Sequence, residues 1–185
     1  MAYTRLVILS LMFFLYTSIY TSIFSCQKLQ AQDLSQESIA DVKLKELLQN
    51  VAFKLGKVGH VSKEIEDTEA KCWVTVYHYP DVGLEVEVCK QGRVGKIRSL
   101  RCVKNKKSST SKGIKVGDEL SKLKAAYPTL KVLDPHSAYV EDLKNQMQLL
   151  FILEDYKVIE MSFYDQGVSE SAENIIRMRK SYYGF

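Results

Sequence analysis

The segment "GLEVEVCK" does most to limit what this chain can become. Leu84, Val86 and Val88 fall on one side of an extended backbone, and Glu85, Glu87 and Cys89 on the other. Such a period suits a strand with one dry face and one wet face. Before it, "CWVTVYHY" is rich in β-branched and aromatic residues. "YPDVG" between them supplies turn residues, with Pro80 and Gly83 at its corners. After "QGRVG", "KIRSLRCV" reads as a third strand whose broken alternation suggests a bulge. A hairpin turning at 80–82 brings Cys72 and Cys89 to one sheet face, where a disulfide can form if the register allows. Trp73, Tyr77 and Tyr79 share a face by alternation.

Two helical patterns are read around these strands. In "DVKLKELLQNVAFKLGKVG", Leu44, Leu47, Leu48, Val51, Ala52 and Leu55 form one apolar stripe ended by Gly56 and Gly59. In "DELSKLKAAYP", Leu120, Leu123 and Tyr127 share a face, Asp118 is the expected cap and Pro128 the stop. Strands follow again at "AYVEDL", "QLLFILED" and "KVIEMSFYD". A shift of 64 residues lays Val86 on Leu150, Val88 on Ile152, Val94 on Val158 and Ile97 on Met161. The expected fold class is therefore α+β. It comprises two helix-plus-three-strand repeats, residues 42–104 and 110–165, forming an antiparallel sheet with helices on one face. A C-terminal helix is expected over 169–183, capped by Ser169, with Ile175 and Ile176 turned inward.

The stretch "SSTSKGIKVGDELSKLKAAYP" has the glycines and basic flank of a phosphate-binding loop. However, Gly117 is followed by Asp118 and Glu119 where such a loop has Lys and Ser or Thr. Two carboxylates at a helix start repel phosphate, so the segment is read as a structural joint. Gly113, Ile114, Val116, Gly117, Asp118, Leu120, Leu123 and Tyr127 carry a resemblance. The motif resembles one in small bacterial envelope proteins of the two-repeat, beta-lactamase-inhibitor-like fold, also used by the small lipoprotein of the outer-membrane assembly machine. The resemblance spans about residues 40–165 and implies a non-catalytic, protein-binding module, with no catalytic residue carried over. The first repeat lacks the Gly-Asp pair.

The first 31 residues read as an export signal: Arg5, then an apolar run over 6–24, with no acidic residue before Asp33. Two cleavage sites compete. "IFSC" at 23–26 resembles a lipobox, which makes Cys26 a lipidation candidate, although Phe24 departs from the pattern. A cut after Ala31 would release a soluble protein, and an uncleaved anchor is the third reading. Residues 32–41 read as a flexible tether, and residues 42–185 as a single domain large enough for a real core. The expected location is export: periplasm or outer membrane as a lipoprotein, or secretion. Beyond the signal, Cys72, Cys89 and Cys102 are an odd number, compatible with one disulfide or with three buried thiols.

The formal net charge is +4, too small to argue for nucleic acid. Residues 90–115 nonetheless hold ten basic side chains, Arg98, Arg101 and Lys104 among them, and no acid. They suggest an acidic protein partner, anionic lipid headgroups or polyanionic glycans; the plainer reading is a solvated strand face and loop. His60, His78 and His136 are scattered, without HExxH or a close pair, and no nucleophile signature occurs. No catalytic, cofactor-binding or metal-ligating residue is assigned, and no cofactor is expected. The leading expectation is a non-enzymatic envelope binding or assembly protein. Its partner surface is placed on Trp73, Tyr77, Tyr79, Arg98, Arg101 and Lys104, and its membrane association only in the N-terminal anchor. The alternatives are a secreted enzyme inhibitor or immunity-like protein and, third, a small envelope hydrolase.

Overall fold

The computed structural model describes residues 32–103 and 107–166, with Arg177, Ser181 and Gly184 as isolated positions. The expected export signal with Cys26, the loop residue Lys104 and the helix expected over 169–183 fall outside the described residues but for those isolated positions. The described chain runs α1 (Leu48–Leu55), β1 (His60–Val61), β2 (Ile65–Asp67), β3 (Cys72–Tyr79), β4 (Leu84–Gln91) and β5 (Val94–Val103). It continues with α2 (Leu120–Ala126), β6 (Lys131–Asp134), β7 (Ser137–Asp142), β8 (Met147–Glu154) and β9 (Lys157–Asp165).

Among the described residues the nine strands form one antiparallel sheet in the order β1-β3-β4-β5-β9-β8-β7-β6, with β2 also on β3. The chain is thus mostly antiparallel β, which corrects the α+β expectation of helix-plus-three-strand repeats. Five strands follow α1 and four follow α2, and the helices are only eight and seven residues long. The strands missed by the sequence reading, β1, β2 and β6, are short and mostly exposed. They are held by pairing to β3 or β7 rather than by an apolar alternation of their own. The 64-residue shift fails on its faces. Val86 and Val88 lie in the main core, whereas Leu150 and Ile152 pack on the opposite side of the sheet. A register one residue out inverts the side chains, so the shift does not lay β4 on β8, although Ile97 and Met161 both lie in the main core.

Helix α1 is shorter than its stripe because residues 45–47 are taken by β5. Lys45 N donates to Ile97 O at 2.8 Å, and Ile97 N donates to Glu46 O at 3.0 Å. Gly56, at φ 77, ends the helix, its N–H donating to Ala52 O at 3.1 Å. Asp118 does not cap α2; Glu119 occupies that position without a side-chain bond. Instead Asp118 Oδ2 accepts from Lys115 N and Lys122 Nζ, both at 2.8 Å, and closes the turn ahead of the helix.

One sheet face carries the main core: Leu84, Val86, Leu100, Leu149, Phe151 and Phe163 meet Val51 of α1, Leu123 of α2, and Ile114 and Val116 of the intervening loop. The Gly-Asp motif is therefore a joint. Gly117 N donates to Val158 O at 2.7 Å and Val158 N to Asp118 O at 2.9 Å, stitching the loop to β9. Gly117 makes the turn at φ 95.

Residues 32–41 are not a tether. Leu34 and Ile39 are fully buried in the core. Ala40 N donates to Ser109 O at 2.9 Å, and Ser111 N to Ser38 O at 3.0 Å. The buried Glu37 carboxylate accepts from Tyr127 Oη at 2.9 Å and Ser111 N at 2.8 Å. Burial, then the adjacent Glu37 charge, pushes the Tyr127 hydroxyl above its usual pKa. Polarity misled the sequence reading, because the polar residues here satisfy buried backbone donors.

The far end of this N-terminal strap, residues 32–41, hangs on Asp142, whose Oδ2 accepts from Leu34 N at 2.8 Å and from Asn145 Nδ2 at 2.7 Å. Burial raises this carboxyl, but the hydrogen bonds from Asn145 and Leu34 outweigh it and hold the pKa below 3.8. The stabilisation is therefore complete above the ordinary carboxylate range and is lost as pH falls through the lowered value. Asp142→Ala should cost about 1–3 kcal/mol in urea unfolding at neutral pH. The Leu34 amide should lose hydrogen-exchange protection in that variant. The penalty should shrink in strong acid, where the wild-type carboxyl is protonated.

Candidate functional site

Two surfaces concentrate polar or exposed aromatic groups. The first is on the sheet face opposite the main core. Strand register places His60, His78, Glu85, Arg101, Ser162 and Leu150 in one row across β1, β3, β4, β5, β9 and β8. The neighbouring row holds Val76, Glu87, Ser99, Tyr164 and Gln148. Between them lies a shallow cleft of about 340 Å³ bordered by Ser62, His78, Glu85, Glu87, Arg101 and Tyr164.

Arg101 organises this row. Its Nη1 donates to Glu85 Oε2 and its Nη2 to Glu160 Oε2, both at 3.0 Å. Glu160 is fully buried, and its other oxygen accepts from Ser162 Oγ at 2.8 Å. Burial opposes the guanidinium charge, but the two carboxylates prevail and hold its pKa above the ordinary value. Arg98 repeats the device at the bulge between Glu87 and Val88, pairing with Glu87 and with Asp67 at 2.6 Å. Asp67 is held below 3.8 by the Ala70 N–H and then by Arg98. At the row's outer end His78 Nδ1 lies 3.4 Å from Glu85 Oε1. The His60 and His78 rings face each other with centres 5.4 Å apart and planes 36° apart. Cys72 and Cys89 form a disulfide at the far end of the same hairpin, with Cα atoms 5.6 Å apart.

The second surface is a groove of about 430 Å³ between the start of α1 and the outer ends of β3, β4 and β5. Leu47, Leu48, Tyr77, Val88 and Val94 give it an apolar lining, and Lys90 and Arg93 a basic one. Val94 is 50% exposed, Trp73 is 47% exposed, and register sets Trp73 beside Lys90. Phe53 of α1 is 92% exposed, one helical turn beyond the groove residue Gln49.

The expected partner residues therefore separate. Tyr79 is 1% exposed in the core and is closed to a partner. Tyr77 lines the groove, and Trp73 is exposed beside it. Arg98 and Arg101 are engaged with the chain's own carboxylates on the other face. The basic run is also dispersed: Lys112 donates to Ala126 O at 3.0 Å and lies over the Tyr127 ring, while Lys90 is 3.8 Å from Glu64. Sequence spacing hid the histidine pair, because 18 positions separate His60 from His78 and β1 has no strand pattern of its own. Among the described residues no group of three or more His, Cys, Asp or Glu side chains is placed to surround one metal ion.

No family model matches the chain, and no curated protein matches it. A solved structure that resembles it is described as an extracellular protein containing a SCP domain, from Bacillus anthracis str. Ames. The likeness has a TM-score of 0.42 and 12% identity over 74% of this chain, which spans 46% of that protein's length.

Arg101→Met should cost about 3–5 kcal/mol, because it leaves Glu160 buried without its guanidinium. Adding Glu160→Met should recover much of that loss, as paired removal strands no buried charge; Glu85, the other carboxylate on Arg101, is 35% exposed and keeps its water. A double-mutant cycle by chemical denaturation checks both.

Proposed function

We propose that this is an exported, non-catalytic envelope protein that binds a protein partner in the α1/β3–β5 groove. The apolar groove lined by Leu47, Tyr77 and Val94 and flanked by Lys90 and Arg93 carries this reading. Such a surface suits a protein segment whose apolar side chains are flanked by Asp or Glu. Apolar contact supplies affinity there, and charge complementarity supplies orientation and rate. The exposed Trp73 and Phe53 extend the aromatic area available to that partner. The signal-like N-terminus supports export.

The reading moves the partner surface away from Arg98 and Arg101, whose charges serve the fold. A photoreactive residue at Val94 should cross-link one defined envelope protein, identified by mass spectrometry, through an acid-flanked apolar segment. Lys90→Glu with Arg93→Glu should reduce that product several-fold, as should raised salt. Equal cross-linking from a probe at Leu133 on the opposite sheet edge, or indifference to charge reversal, would sink the proposal.

A further inference from the structure

We propose that His60 and His78 form an exposed two-histidine site for a borderline divalent transition metal such as Zn²⁺, with Glu85 as its outer carboxylate. The site is set by the sheet register and is independent of the groove.

The two imidazoles project from directly opposed residues of β1 and β3. With Zn–N bonds of about 2.0–2.1 Å, two imidazoles on one tetrahedral ion have ring centres about 5–5.5 Å apart. The observed separation is 5.4 Å. The pair therefore needs side-chain rotation, not strand movement, to share an ion.

The surroundings match what a metal-binding histidine requires. His78 Nδ1 faces Glu85 Oε1 at 3.4 Å. A carboxylate there favours the proton on Nδ1 and leaves the Nε2 lone pair for a metal. Glu85 is itself fixed by Arg101, and Arg101 by the buried Glu160, so the carboxylate is oriented from behind. Gly59 lets β1 approach: a Cβ there would lie 2.7 Å from Pro80 Cδ. Its N–H donates to His78 O at 2.9 Å, which sets His60 opposite His78.

Two nitrogen ligands select Zn²⁺, Ni²⁺ or Cu²⁺ over Mg²⁺ and Ca²⁺, which require oxygen. They also leave two tetrahedral positions open. Closed structural sites use four protein ligands; an open one takes water or a donor from another molecule.

The chain has three histidines, so imidazole resonances report directly. Zn²⁺ titrated into the purified full chain should shift His60 and His78 together, saturate at one ion per chain and leave His136 unmoved. His60→Asn and His78→Asn should each weaken binding at least about tenfold, and Glu85→Gln about 10- to 100-fold. Mg²⁺ should do nothing. Equal perturbation of His136, absence of saturable binding, or undiminished binding by a folded His60→Asn/His78→Asn double variant would overturn the site. The circular dichroism spectrum and Tm without metal establish that each variant is folded.

Discussion

The pairing of β5 with β9 is the contact on which the rest depends. Residues 99–103 meet residues 160–164 there, and two meanders become one sheet. Arg101 sits on that seam with one carboxylate from each side, Glu85 of β4 and Glu160 of β9. A buried ion pair stabilises less than its Coulomb attraction suggests, because both charges lose water. Its value here is in register. A one-residue slip would turn Arg101 toward Leu84 and Phe163 and part Glu160 from its guanidinium. The seam thus selects one alignment of two hairpin systems that are otherwise held by interchangeable apolar side chains.

The same alignment separates the roles of the two sheet faces. The main-core face collects both helices, the N-terminal strap and the Ile114–Val116 anchor. The other face carries charge in rows and a smaller apolar group of Leu150, Ile152 and Tyr164. Because β3 lends side chains to both faces, Tyr79 packs into the core while its neighbour His78 joins the polar row.

What could be read in advance follows from this geometry. The alternation of Leu84, Val86 and Val88 marks a half-buried strand because burial on one face leaves a period of two. The chance of a Cys72–Cys89 bond was legible for the same reason, since a hairpin turn relates the two by simple counting. Helix α1 was overdrawn because Leu44 and Leu47 keep helical spacing while the backbone of residues 45–47 is claimed by β5, a contact about 50 positions away. Residues 32–41 were misread because Glu37 and Ser38 look solvated in isolation. Their partners, Ser111 and Tyr127, lie over 70 positions downstream. The histidine pair was illegible because β1 owes its position to the glycine contact at Pro80 and to the free edge of β3.

Burial of the strap sets a leash length. Were Cys26 acylated, only residues 27–33 would separate the lipid from the first buried side chain, Leu34. Seven extended residues span about 23–25 Å. The folded body would then stand close against whichever bilayer held the lipid. A partner for such a protein would have to come to the membrane surface.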